Sequence, residues 1–149
     1  LPLENTVPDF RGQCIQRIER HIGCELVRRE PRKKTTCVNK VKKITVICLV
    51  SRSYDSNDNS GDTGFWFKFC SPHRQNLLDY KNGYVGLGCA TKNSILLIPK
   101  INFTKLLISL PSVKQKRLDY FLRIEKRNNE FFIDTRQEVG FISVQKYLI

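Results

Sequence analysis

The order of apolar and polar residues predicts a chain of short helices and strands. Val7-Pro8-Asp9 is typical of a helix start, and Ile15, Ile18 and Ile22 follow at helical spacing until Gly23 ends the pattern. A second helix is predicted to begin at Ser71-Pro72 and a third to span 102–110. One or two strands are predicted within 36–50. Further strands are predicted at 25–30, 65–70, 84–89, 94–98, 118–125, 131–133 and 141–144.

Polar segments separate these elements. Pro31-Arg32-Lys33-Lys34 is expected to form a loop, residues 55–64 a polar loop with too few apolar side chains to fold alone, and Lys81-Asn82-Gly83 the end of the second helix. Arg127-Asn128-Asn129 favours a hairpin turn. The apolar run at the end of 36–50 indicates a central strand covered on both faces.

These elements indicate an α+β fold with about three helices and a mixed, mostly antiparallel sheet. The chain has 149 residues, the size of one domain, and contains no internal repeat or dividing linker. We therefore expect residues 1–149 to form a single basic α+β domain, which could be part of a longer protein. No apolar run approaches the roughly 20 residues of a membrane helix.

The net charge of the chain reduces the number of functions that the sequence can support. The sequence has 26 Lys and Arg against 14 Asp and Glu, a net charge of +12, which favours a polyanionic partner. The densest basic stretch runs from residue 28 to residue 43 with a single acid, Glu30, and a loop and strand edge of this kind can follow a nucleic-acid backbone. The predicted phosphate contacts are Arg28, Arg29, Arg32, Lys33, Lys34, Lys40, Lys42 and Lys43. A solvated surface that only keeps the protein soluble is the alternative.

Candidate base contacts lie in and after the aromatic strand. Alternation from Phe65 to Phe69 places Trp66 and Lys68 together on the face opposite the phenylalanines. Trp66 either packs beneath a helix there or is available to stack on a base. His73 and Arg74 lie in the first turn of the next helix, where an anion is favoured, although His73 could equally be an ordinary surface residue.

Six cysteines permit disulfides, yet Cys48 and Cys89 lie in apolar strands, and a chain of this length needs no covalent cross-link. We therefore expect reduced, mostly buried thiols and an intracellular protein. A secreted basic protein that binds glycans or a receptor is the alternative. Cys70 and His73 have metal-ligand spacing, but the chain has only two histidines, so no zinc site is predicted.

An enzymatic alternative is a Mg²⁺-dependent nuclease of the restriction type. Its candidate groups are Glu19, Asp62 and Lys68, because clustered carboxylates hold Mg²⁺ against a phosphate. Trp66 stands where such an active site would have an acid, and no Walker-type or dinucleotide-binding loop occurs, so no catalytic residue and no cofactor is predicted. The sequence thus predicts a nucleic-acid-binding domain, with DNA the favoured partner.

Overall fold

The computed structural model describes residues 9–30, 33–55, 62–110, 112–114, 118–135 and 140–149. The helices are α1 (Phe10–Ile22), α2 (Ser71–Leu77) and α3 (Lys100–Ile108), and a short 3-10 turn spans Gln145–Tyr147. The strands are β1 (Val27–Glu30), β2 (Lys33–Asn39), β3 (Ile44–Ser51), β4 (Tyr54–Asp55), β5 (Thr63–Phe69), β6 (Asn82–Cys89), β7 (Ile95–Pro99), β8 (Ser112–Lys114), β9 (Leu118–Arg127), β10 (Glu130–Asp134) and β11 (Phe141–Ser143).

The strands form two sheets. Sheet A has the order β1-β2-β3-β6-β7, and sheet B has the order β11-β10-β9-β5-β4, with β8 also paired to β9. Every pair between these strands is antiparallel except β3 with β6, which run parallel with Ile44 opposite Asn82. The predicted α+β class with mostly antiparallel pairing is therefore confirmed, whereas its division into two sheets was not predicted.

The two sheets and α1 form three layers. One core lies between the sheets and contains Ile47 and Leu87 from sheet A with Phe67 and Leu122 from sheet B. Neighbouring residues on the strands of sheet A point the other way, and Cys48 packs there with residues of α1. Sheet A is thus covered on both faces, as the apolar run of β3 predicted.

Helix α1 forms where the sequence predicts it. The Asp9 carboxylate accepts a hydrogen bond of 2.6 Å from the Gly12 N–H, and Gly23 ends the helix in the left-handed conformation at φ 76°. The hairpin between β9 and β10 is also confirmed, with Asn128 and Asn129 both at positive φ. In both places the residues at the ends of the element were sufficient to predict where it begins or turns.

The predicted loop at 31–34 is wrong in part. Lys33 and Lys34 belong to β2, because β1 and β2 pair as a hairpin in which Glu30 lies opposite Lys33. Pro31, Arg32 and the side chain of Lys33 lie outside the described residues. The backbone hydrogen bonds of the hairpin outweigh the loop character of the charged residues.

Two further boundaries differ from the prediction. Asn82 and Gly83 begin β6 instead of ending α2, which already ends at Leu77, because pairing with β3 recruits them into sheet A. In the polar segment 55–64, Asp55 belongs to β4 and Thr63 begins β5, while residues 56–61 lie outside the described residues. In each case pairing with a neighbouring strand extends the structure beyond the local pattern.

Candidate nucleic-acid interface

The turn between β2 and β3 holds three lysines close together. Asn39 pairs with Ile44 to close the turn, and its side-chain oxygen accepts a 2.8 Å hydrogen bond from the Lys42 N–H. Lys40, Lys42 and Lys43 are all exposed, and Lys43 adopts a positive φ of 54°. The geometry of a tight turn therefore gathers three cations within four residues.

Two more lysines, distant in sequence, lie beside this turn. Lys43 and Lys81 each come immediately before one member of the Ile44–Asn82 pair, and paired strands are about 4.8 Å apart, so both lysines lie at the same end of the two strands. Lys100 follows Pro99, the last residue of β7, and its ammonium donates a 2.8 Å hydrogen bond to the carbonyl oxygen of Tyr80. Lys81 and Lys100 also line one small surface cavity.

We call this group the lysine end of sheet A; it consists of Lys40, Lys42, Lys43, Lys81 and Lys100. It crosses from β2 to β7, a width of about 14 Å at about 4.8 Å per strand. The Lys42 ammonium also lies 3.5 Å from the Gly23 carbonyl oxygen, next to the basic last turn of α1. The acidic residue Glu25 lies nearby, because its carbonyl accepts from the Asn39 side chain.

Three other described cations of the predicted basic stretch, Arg28, Arg29 and Lys34, lie away from this end of sheet A. Arg28 pairs with Cys37, whose side chain is buried beside α1, whereas Arg29 points toward α2. Lys34 is exposed at the start of β2, roughly 16 Å from Asn39 along the strand. Among the described cations of this stretch, Arg28, Arg29 and Lys34 therefore lie apart from the three turn lysines.

Arg29 is engaged within the protein. Its guanidinium lies 2.6 Å from the Asp79 carboxylate and donates to the side-chain oxygen of Asn76, which in turn donates to Thr36. These contacts attach the end of α2 to sheet A. A phosphate contact by Arg29 would have to compete with Asp79.

His73 likewise has a structural role. Its Nδ1 accepts a 3.2 Å hydrogen bond from the Cys70 N–H, and Cys70 is the N-cap of α2. Its Nε2 lies 3.3 Å from the Thr35 hydroxyl, to which the neutral ring can donate. Arg74 is exposed on the same helix. Of these two candidate base contacts, only Arg74 presents its side chain openly to solvent.

Trp66 and Lys68 lie on the outer face of sheet B, as their alternation predicts. Trp66 is 38% exposed, and the Arg123 guanidinium of the neighbouring strand lies 5.1 Å from the centre of its ring. Lys68 forms an ion pair of 3.5 Å with Asp119. The interpretation of Trp66 as a residue packed beneath a helix is therefore wrong, while its proposed contact with a base stays a prediction.

The carboxylates of the nuclease alternative do not converge. Asp62 and Lys68 are six residues apart along an extended segment, about 20 Å, and Glu19 lies on α1 beyond sheet A. The Glu19 carboxylate accepts a 2.8 Å hydrogen bond from the Leu26 N–H, and Asp62 pairs with Arg127 at 3.5 Å. Within the part of the chain that the structure describes, no three potential metal ligands cluster.

All six cysteines are free thiols, and four of them are buried. Cys14 and Cys48 share a hydrogen bond that lowers the pKa of Cys14 and raises that of Cys48. Burial raises the pKa of Cys37 and of Cys89. Thiols in such surroundings pack as small apolar groups, so they contribute to the core and not to the charged surface.

Comparison with known protein families, with curated proteins and with solved structures finds no match. Among the described helices, none has the length and apolar character needed to cross a membrane. Any functional conclusion therefore depends on the geometry and charge of the chain itself.

Sequence reasoning missed Lys81 and Lys100 as members of a basic site. Neither lies in a basic run, and both join the turn lysines only because β6 pairs in parallel with β3 and antiparallel with β7. The excess of positive charge indicated that such a site should exist, but strand order decides which cations form it.

Proposed function

We propose that the protein binds DNA through the lysine end of sheet A. The observation that carries the proposal is that Lys40, Lys42 and Lys43 share one end of the sheet with Lys81 and Lys100. Duplex DNA carries about one phosphate charge per 1.7 Å of its axis, so a row about 14 Å wide has a phosphate for every ammonium group. A net charge of +12 adds long-range attraction to the same partner.

Binding through these groups requires little reorganisation of the protein. The three turn lysines are exposed, and the turn that carries them is fixed by hydrogen bonds to Asn39 and by strand pairing. Ammonium groups act as point charges toward phosphate and read no base edge. The proposed interface therefore supplies affinity without sequence preference.

The direct test is a duplex-binding measurement by fluorescence anisotropy with the variant Lys42→Gln/Lys43→Gln. Each phosphate contact multiplies the binding constant by roughly the salt concentration raised to the power −0.9. At about 0.1 M salt this factor is roughly eight, so we expect each lost contact to weaken binding roughly eightfold. Equal affinity of the variant and the original chain would contradict the proposal.

The matched control removes two positive charges from the opposite end of sheet A. Arg52 follows β3 and Lys92 lies between β6 and β7; both are exposed, and the two loops are joined by a 2.9 Å hydrogen bond from the Ala90 N–H to the Ser51 carbonyl. Arg52→Gln/Lys92→Gln lowers the net charge by the same amount. We expect this control to bind nearly as tightly as the original chain, and an equal loss in both variants would show that only net charge matters.

We further propose that the protein works in a reducing compartment. The burial of Cys14, Cys37, Cys48 and Cys89 as free thiols supports this. We expect a thiol titration of protein isolated without reductant to detect about six reactive groups in denaturant, and only Cys24 and Cys70 to react rapidly in the folded state. A titration that detects none in denaturant would support the secreted alternative instead.

A further inference from the structure

The outer face of sheet B carries several aromatic side chains. Trp66 and Phe141 are 38% and 39% exposed, and Phe121 and Phe132 are half-buried. We call these four residues, with the strand surface between them, the aromatic face. Large apolar groups grouped on one exposed sheet face indicate a contact surface.

Strand register places these rings on one side of the sheet. Lys68 lies opposite Phe121, and Trp66 lies opposite Arg123 on β9. Arg123 lies opposite Asp134, which in turn pairs with Phe141. Residues directly opposite one another share a face, and diagonal neighbours such as Trp66 and Phe121 are about 7–8 Å apart. The rings therefore lie on one side of sheet B in two pairs, Trp66 with Phe121 and Phe132 with Phe141. Arg123 and Asp134 lie between the two pairs.

Cations lie over three of the aromatic rings of this sheet face. The Arg123 guanidinium is 5.1 Å from the centre of the Trp66 ring, and the Arg127 guanidinium is 4.0 Å from the centre of the Phe141 ring. The Lys68 ammonium is 5.9 Å from the centre of the Phe121 ring. Planar rings interleaved with guanidinium groups are the surface on which unpaired bases stack.

The charges of the aromatic face are balanced by acids. Glu125 is buried and pairs with Arg123 at 3.0 Å and with Arg127 at 2.6 Å, and Asp119 pairs with Lys68. Glu130 and Asp134 also point to this side of the sheet. Phosphate attraction at this face is therefore weak, and a ligand would have to gain its affinity from the rings, with the overall charge of +12 drawing a polyanion to the protein.

We propose that the aromatic face binds single-stranded DNA by stacking unpaired bases on Trp66, Phe121 and their neighbours. The inference rests on the proposed function and specifies that this second surface binds DNA in its single-stranded form. Bases inside a duplex are already stacked on both sides, so only an unpaired base can offer its flat surface to Trp66. The single strand is taken to be DNA, as in the proposed function, and an RNA of the same length is one arm of the test.

Trp66 is the only tryptophan of the chain, so its fluorescence reports directly on this face. The probe is an oligothymidylate of about twelve nucleotides, within the length that single-strand binding surfaces cover. We expect the oligonucleotide to quench Trp66 emission in a saturable way, and a duplex of equal length to bind with little quenching.

The test variant is Phe121→Leu, which removes one ring next to Trp66 but keeps the tryptophan as a reporter. Loss of one stacking contact should weaken binding of the oligothymidylate by about 5- to 150-fold. Phe10→Leu, on α1 at the far side of sheet A, is the matched control and should bind as the original chain does. If Phe121→Leu melts at a lower temperature than the control, Phe132→Leu serves as a second variant on the same face.

Four results would overturn the inference. The first two are saturated binding of the oligothymidylate without a change in Trp66 emission, and equal quenching of Trp66 by the duplex. The third is tighter binding of an RNA of the same length. The fourth is a change in Trp66 emission that depends on protein concentration, with self-association of the protein in sedimentation. The test of the lysine end is separate from this one. If duplex binding depends on Lys42 and Lys43 but the oligothymidylate leaves Trp66 emission unchanged, only this inference is wrong. Oligothymidylate quenching without any duplex binding defeats only the proposed function.

Discussion

At the scale of single residues, Cys89 links burial to the pH dependence of stability. Its side chain is 2% exposed in the core between the sheets, and burial raises the pKa of its thiol. In the unfolded chain a thiol ionises near pH 8.5. Above that pH the unfolded chain loses a proton that the folded chain keeps, so the free energy of unfolding falls as pH rises.

The variant Cys89→Ala tests this linkage. We expect its free energy of unfolding to decline less steeply than that of the original chain above about pH 9, by up to about 1.4 kcal/mol per pH unit. Urea denaturation at several alkaline pH values measures the difference. Val85→Ala, a buried position without a titratable group, should lower stability by a similar amount at every pH; parallel curves for Cys89→Ala and the original chain would contradict the account.

At the scale of elements, two glycines of β6 set the distance between α1 and sheet A. A β-carbon at Gly86 would lie 2.8 Å from the Ile18 Cδ1, and one at Gly88 would lie 2.8 Å from the Cys14 Sγ and 3.3 Å from the Phe10 ring. The absence of these side chains allows the helix to approach closely. The sequence predicts a strand at 84–89, but it does not identify α1 as the element packed against its glycines.

We expect Gly88→Ala to lower the free energy of unfolding by about 1–3 kcal/mol, because α1 must shift to relieve the overlap. Gly64→Ala is the contrasting variant: its β-carbon would meet nothing closer than the Tyr54 carbonyl oxygen at 3.8 Å. Alanine is better than glycine within a strand by roughly 0.5–1 kcal/mol, so this variant should gain stability. Denaturant unfolding of both variants measures whether each substitution raises or lowers the free energy of unfolding. A Gly88→Ala protein as stable as the original chain would contradict the packing argument.

Elements with local signals could be predicted, and elements defined by distant pairing could not. Asp9 and Gly23 specify the two ends of α1 through their own hydrogen bonds and dihedral angles. In contrast, Asn82 and Gly83 join β6 because β3 lies beside them, a contact between residues nearly forty positions apart. Loop-like composition there gave the wrong boundary because strand pairing outweighs local preference.

At the scale of the whole molecule, the positive charge is divided among several surfaces. The lysine end collects five cations, Arg29 is paired with Asp79, and Arg123 and Arg127 are paired with Glu125 on sheet B. The described cations of the stretch from residue 28 to residue 43 therefore lie on more than one surface, and their contact with phosphates stays a prediction. The composition favours a polyanionic partner, and the topology of sheet A determines which lysines share one end.

The salt dependence of duplex binding tests the central claim most directly. The measurement compares the slope of log K against log salt for the original chain, for Lys42→Gln/Lys43→Gln and for Arg52→Gln/Lys92→Gln. Each phosphate contact contributes about 0.9 to the slope, so the first variant should be shallower by about 1.8 and the second should keep the original slope. Three identical slopes, or an equal change in both variants, would contradict a DNA interface at the lysine end.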